Sequence, residues 1–166
     1  MDAGRGSEPT PMKKMTNRTT VERVSDRELV VTRTVNGPAR LVFQAWTTPE
    51  LFKQWWVPKS LGMVLRSCQM DVRVGGSYRI EFEPAGMAFF GKYLDMTPPS
   101  RLVWTNEEAG EGGPISTATF EEKDGKTLVV LRELYPSKEA LDAAGTGAAD
   151  AMDESFDQLD ALLEPR

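Results

Sequence analysis

The feature that most constrains the fold is a series of strand-like segments between residues 63 and 134, followed by one long amphipathic helix. The segment SYRIEFE (residues 77–83) alternates apolar and polar side chains, which is typical of a strand with one buried face. Asp124-Gly125 separates two β-branched segments, and this dipeptide is typical of a two-residue hairpin turn. Because consecutive strands joined by short turns favour a meander, the sequence predicts about six consecutive antiparallel strands here.

The last helix is the element that can cover one face of this sheet. Its apolar side chains recur at helical spacing and form one stripe, made of Ala148, Ala151, Met152, Phe156, Leu159, Leu162 and Leu163. An antiparallel sheet must cover its apolar face, and this helix is the only element long enough to do so. We expect a bent sheet around residues 147–163, with Met152, Phe156 and Leu159 turned toward it. The simplest interpretation of Asp150, Asp153, Asp157 and Asp160 on the other faces is a solvated surface.

The sequence of the region before the meander predicts one strand and two short helices. RELVVTRTV (residues 27–35) is rich in β-branched residues, and residues 38–46 and 47–56 have helical character. Thr48 can cap the second helix, and Pro58 prevents its continuation. Residues 1–26 are rich in Gly, Pro, Thr, Ser and charge, so we expect a flexible tail there and a single domain over residues 27–164. Met1, Met12 and Met15 remain alternative start residues.

The chain contains no histidine and only one cysteine, Cys68. These counts exclude histidine-dependent nucleophiles, histidine-based zinc sites and a disulfide within the chain. Gly75-Gly76 lacks the helix and the basic residue that a phosphate-binding loop needs, which indicates a hairpin turn instead. We therefore expect no metal and no cofactor.

Charge and hydropathy restrict the partners. A formal net charge of −5 disfavours a surface that follows phosphates, so we expect no nucleic-acid partner. No apolar segment approaches the roughly 18 residues of a membrane span. The N-terminal residues also lack the apolar core of a secretory signal, and we expect a cytoplasmic location. The sequence leaves open whether the chain forms a homodimer.

Two adjacent tryptophans, Trp55 and Trp56, lie at the predicted end of the second short helix. Neighbouring residues on a helix point about 100° apart, so both indoles cannot enter one core pocket. Either one indole is core and the other caps the sheet edge, or one lines a cavity between the sheet and the last helix. We expect one to anchor the core and the other, preferentially Trp56, to border the cavity. The following loop VPKSLG (residues 57–62) has little apolar anchoring and could move to admit a ligand.

Further candidates for the cavity wall come from the strands and the last helix. Besides the two tryptophans they are Met70, Arg79, Glu81, Trp104, Met152 and Phe156. Arg79 and Glu81 lie on the opposite strand face from their apolar neighbours. They form either a surface ion pair or, if the apolar set faces outward, a charged pair in the cavity that orients a ligand or acts as acid and base. Arg132 and Glu133 raise the same question with less support.

Four segments, taken together and in order, carry a family resemblance. They are PARLVFQAWTTPELFKQWW, DVRVGGSYRIEF, GKYLDMTPPSRLVWT and SKEALDAAGTGAADAMDESFDQLDALL. Over residues 27–164 the chain resembles the SRPBCC or START-like superfamily, and within it the branch named for the C-terminal domain of the heat-shock-protein-90 ATPase activator. The resemblance implies an α+β helix-grip fold, a bent antiparallel sheet of about six or seven strands wrapped around a long C-terminal helix. Relatives often carry Gly-Met or Gly-Trp where this chain has Ala151-Met152, and the larger residue narrows the pocket.

The resemblance implies three classes of function. The first is binding of a small hydrophobic molecule in the cavity, as a carrier, a sensor or a stress-related protein. The second is a cofactor-free enzyme, cyclase-like or hydrolase-like, whose proton-transfer group must be a carboxylate, a tyrosine or an arginine-polarised water because histidine is absent. The third is a co-chaperone-like module with a chaperone partner. This class has less support, because the activator joins an additional N-terminal domain to this one.

Overall fold

The computed structural model describes residues 19–83, 88–108, 110 and 113–164. Within these ranges one sheet contains eight strands: β1 Thr20–Arg23, β2 Glu28–Val35, β3 Val64–Met70, β4 Ser77–Glu83, β5 Ala88–Thr97, β6 Arg101–Thr105, β7 Ile115–Lys123 and β8 Lys126–Leu134. The helices of the same ranges are α1 Ala39–Thr47, α2 Pro49–Trp55, a 3-10 turn Lys59–Leu61, α3 Lys138–Ala144 and α4 Gly147–Leu163.

The strands are all antiparallel and lie in the order β1-β2-β8-β7-β6-β5-β4-β3. Strands β3 to β8 form the predicted meander, and α1 and α2 carry the chain from β2 to the far edge of the sheet. Helix α4 contacts β2, α1 and α2. The α+β helix-grip fold expected from the sequence is therefore confirmed.

One strand was not predicted. Thr20–Arg23 pairs with β2 and places Val21 opposite Val31, so the described sheet has eight strands rather than six or seven. This strand lies within residues 1–26, and the expectation of a flexible tail does not hold for it. Its four residues, TVER, contain a single apolar side chain and leave no alternation to recognise. Residues 1–18 lie outside the described residues.

Several turn and cap residues take the positions that the sequence indicates. Asp124 and Gly125 both have positive φ angles, 56° and 78°, as a two-residue hairpin turn of this type requires. The Ser137 hydroxyl accepts a backbone hydrogen bond from the first turn of α3 (3.1 Å), and Gly145 ends that helix with a φ of 65°. Thr48 precedes α2 as expected, but its side chain makes no capping hydrogen bond.

The core lies between α4, α1, α2 and the concave face of the sheet. Met152, Phe156 and Leu159 are buried there, as the apolar stripe predicts. The ring of Phe156 lies 6.2 Å from that of Trp55 and 6.3 Å from that of Trp46, between centroids. Aromatic contacts thus join the last helix to both short helices.

The acidic residues of α4 are not simply a solvated surface. Arg33 lies on the inner face of β2 and is only 2% exposed. Its Nη2 donates to Asp157 (2.8 Å) and Asp160 (2.7 Å), and its Nη1 lies 3.5 Å from a carboxylate oxygen of Asp153. The other oxygen of Asp160 accepts the backbone N–H of Asn36 at 2.8 Å. Asp153 and Asp157 are exposed, as the interpretation of a solvated face expects, but together with the largely buried Asp160 they also pair with Arg33 and tie α4 to β2.

Candidate functional site

A cavity of about 320 Å³ lies between α4 and the sheet, and we call it the large cavity. Its walls come from β2 and β8, from the segment 56–63, from Asn106, Glu108 and Pro114 between β6 and β7, and from the start of α4. Most of the lining side chains are apolar, and Ala149 and Ala151 leave space where larger side chains would fill it. This volume lies within the range of about 300–1,000 Å³ that is usual for small-molecule sites.

A small cavity of about 40 Å³ adjoins the large one under α2. The two share Trp56, Phe89 and Asn106 as wall residues. Met70 and Trp104 also line the small cavity. The small cavity therefore extends the apolar surface of the large one toward the core.

The two adjacent tryptophans occupy different environments. Trp55 is fully buried and donates its indole N–H to the carbonyl of Ala45 at 3.0 Å. Trp56 is partly exposed and lines both cavities. The two ring planes are inclined by 82° and the ring centroids lie 5.4 Å apart, so the two indoles contact each other edge to face. A ligand contact for Trp56 remains a prediction.

The other apolar candidates divide between cavity and core. Met152 lines the large cavity, whereas Met70 and Trp104 line the small one. Phe156 is fully buried, and neither cavity includes it among its wall residues. Its proposed place in the cavity wall is wrong, because its ring packs into the aromatic contacts with α1 and α2 instead.

Arg79 and Glu81 lie outside both cavities, on the convex face of the sheet. Their side chains are 50% and 31% exposed and form an ion pair at 2.8 Å. The alternating partners Tyr78, Ile80 and Phe82 are buried, so period-two geometry turns the charged pair outward. The interpretation as a surface ion pair is correct, and the cavity interpretation is wrong.

Glu133 is the acidic residue that β8 directs to the large cavity. The pKa of its carboxyl is raised to about 7, mainly because the group is removed from water and to a lesser extent because Glu108 carries a negative charge nearby, while a hydrogen bond from Ser116 acts in the opposite direction. Asn106 in turn donates to the Ser116 hydroxyl at 2.8 Å. The sequence signal was a carboxyl at an inward position of an apolar strand. In the sequence, this carboxyl had less support as a cavity residue than the charged pair within the more regular SYRIEFE segment.

The loop between α2 and β3 is hydrogen-bonded to α4 beside the large cavity. The Gln158 amide donates to the carbonyls of residues 55 and 57 (2.9 Å each) and accepts the backbone N–H of Lys59 (2.8 Å). Glu154 accepts from the backbone N–H and hydroxyl of Ser60, and the Ser155 hydroxyl donates to the carbonyl of residue 56. These polar contacts anchor a loop for which the sequence indicated little apolar anchoring.

Two further sequence expectations concern membranes and metals. Among the helices that the structure describes, none has the length and apolar character needed to cross a membrane. The described residues also contain no group of three or more His, Cys, Asp or Glu side chains arranged to hold a metal ion. The absence of a cofactor stays a prediction.

Comparisons with known proteins identify the same fold. A protein from Rhodobacter sphaeroides has a TM-score of 0.77 and 23% identity, with 88% of this chain and 97% of that chain covered. A protein from Chromobacterium violaceum has a TM-score of 0.68 and 29% identity, with 86% and 100% covered. CalU16 from Micromonospora echinospora has a TM-score of 0.61 and 20% identity, with 90% and 85% covered. No curated protein matches the sequence.

The family assignment rests on a match along most of the chain. The model of the family described as activator of Hsp90 ATPase homolog 1-like protein matches residues 36–164. This range begins after β2 and includes α1, α2, the whole meander and α4. The resemblance noted in the sequence is thereby confirmed, and the chain belongs to the activator of Hsp90 ATPase homolog 1-like protein family.

Proposed function

We propose that this protein binds a small hydrophobic molecule in the large cavity, as a carrier, a sensor or a stress-related protein. The observation that carries the proposal is the mainly apolar cavity of about 320 Å³ between α4 and the sheet. The family and the fold support ligand binding or cyclase-like activity in general terms. An apolar ligand gains about 25 cal/mol for each Å² of apolar surface that it buries. Affinity of this kind does not require a catalytic group.

Paired tryptophan substitutions test the proposal. We expect Trp56→Phe to weaken binding of the uncharged dye N-phenyl-1-naphthylamine roughly threefold to tenfold, because an indole on the cavity wall is lost. Trp55→Phe should instead lower the free energy of unfolding by about 1–3 kcal/mol, because it removes a buried indole and its hydrogen bond. Fluorescence titration and urea unfolding of both variants measure the two effects.

The two variants serve as controls for each other because they differ by one position in the chain. Each makes the same chemical change, so a difference in dye binding reflects the location of the ring. If both variants lost stability alone and bound the dye with unchanged affinity, Trp56 would be an ordinary core residue. The proposal that a ligand contacts the cavity wall at Trp56 would then be contradicted.

A second candidate, a cofactor-free enzyme, is favoured by Glu133. A carboxyl with a pKa of about 7 inside a cavity is suited to proton transfer near neutral pH. Native mass spectrometry of freshly purified protein, followed by incubation of any released molecule with new protein, separates the two candidates. Recovery of the molecule unchanged supports binding alone. Conversion by the natural sequence, lost in Glu133→Gln, supports the enzyme.

A further inference from the structure

The polar groups of the large cavity gather where the loop after β6 meets the end of β8. Asn106 and Glu108 come from this loop, whereas Glu133 and Tyr135 come from β8 and the residue after it. Strand pairing places Glu133 opposite Ser116, next to the end of the same loop. The rest of the wall is mainly apolar. A molecule in this cavity therefore meets a polar end and an apolar body.

The charges at the polar end have one sign. Glu108 and Glu133 are acidic, and the described wall residues include no arginine or lysine. Two cations on β8 and β5 pair with other carboxylates: Arg132 lies 3.5 Å from Glu28, and Lys92 lies 3.7 Å from Glu107. The polar end is thus an acidic site at the margin of an apolar cavity, without a protein cation in the wall to neutralise it.

We infer that the ligand of the large cavity is a cationic amphiphile, with an ammonium group at Glu108 and Glu133 and an apolar body along the wall that includes Trp56 and Met152. This inference rests on the proposed function and specifies the chemical class of its ligand. An ammonium group offers three hydrogen-bond donors to carboxylates, and such charge-assisted bonds are roughly twice as strong as neutral ones. An anionic head would instead be repelled by the same two residues.

The preference should depend on pH, because Glu133 must be ionised to attract a cation fully. Its pKa of about 7 means that the carboxylate forms as the pH rises through neutrality. Glu108, Ser116, Tyr78 and Tyr135 surround or influence this group. Burial raises the pKa of both tyrosines, so they stay uncharged over this range. The acidic charge of the site therefore increases between about pH 5.5 and pH 8.

Three probes with the same apolar tail test the inference: octylamine, 1-octanol and octanoate, each competing with N-phenyl-1-naphthylamine. At pH 8 we expect octylamine to bind at least about tenfold more tightly than 1-octanol, with octanoate weakest. At pH 5.5 the difference in affinity between octylamine and 1-octanol should be smaller. Glu133→Gln should remove most of the preference for octylamine over 1-octanol, whereas the control Glu81→Gln, on the convex face, should retain this preference.

The outcomes separate this inference from the proposed function. Equal binding of octylamine and 1-octanol at pH 8, or an amine preference that survives in Glu133→Gln, would overturn the cationic ligand and leave hydrophobic binding intact. Failure of all three probes and of the dye to bind would overturn both. A preference that disappears only in Glu133→Gln would support the inference.

Discussion

Substitution of Phe156 by aspartate should leave little folded protein. The Phe156 side chain is fully buried among the aromatic rings of α1 and α2. Loss of a buried phenyl ring costs about 3–5 kcal/mol, and an unpaired buried carboxylate adds several more, which together approach the whole stability of a typical domain. Circular dichroism and urea unfolding of the variant measure the effect.

The matched control lies on the same helix. Ala161 is exposed on α4, so Ala161→Asp introduces the same charge without burial and should change the free energy of unfolding by no more than about 0.5 kcal/mol. A soluble Phe156→Asp variant with an unchanged melting temperature would show that α4 does not pack on the sheet as described.

The second large effect is expected at Arg33. Arg33→Met keeps an apolar side chain on β2 but leaves Asp153, Asp157 and Asp160 without their shared cation. Removing one member of a buried ion pair typically costs about 3–5 kcal/mol when the charge that remains is buried, and Asp160, whose side chain is 14% exposed, is the most buried of the three carboxylates. Partial exposure of two of the aspartates places the expected loss near the lower limit, about 3 kcal/mol. Urea unfolding measures the difference.

Arg79→Met is the control for this prediction. Its ion pair with Glu81 is about as short as the contacts of Arg33, but half of the Arg79 side chain is exposed. Exposed pairs contribute about 0–1 kcal/mol, so Arg79→Met should have little effect. Equal losses in Arg33→Met and Arg79→Met would mean that the cluster does not stabilise the contact between β2 and α4.

The sheet and the last helix could be predicted because their signals are long and redundant. Six consecutive strand segments reinforce one another, and one apolar stripe extends over the whole of α4. Strand β1 shows the opposite case. Its four residues contain one apolar side chain, and the strand exists because its backbone pairs with β2, which periodicity cannot reveal.

The candidate site was less predictable, because a cavity depends on where side chains fail to fill space. Trp56 and Met152 were identified from their type and position, but which of the two tryptophans lines the cavity depends on the approach of α2 to α4. In the sequence, the pair Arg132–Glu133 has less support as a cavity pair than Arg79–Glu81. Only the register of β4 and β8 shows that Glu133 alone of these four lines the large cavity.

The three aspartates around Arg33 illustrate a similar limit. An acidic stripe on an amphipathic helix usually faces solvent. Here three of its carboxylates also pair with a charged residue at an inward position of β2, more than a hundred residues earlier in the chain. Pairing of this kind between distant elements can be recognised only when the three-dimensional arrangement of both elements is known.

The most direct test of the central claim is titration of N-phenyl-1-naphthylamine into the natural sequence, Ala151→Phe and Ala161→Phe. Ala151 lines the large cavity, whereas Ala161 is exposed on the same helix. If a hydrophobic molecule binds there, the natural sequence and Ala161→Phe should bind the dye alike, and Ala151→Phe should bind it at least about tenfold more weakly because a phenyl ring occupies the space. Equal dye affinity in all three folded proteins would contradict the claim.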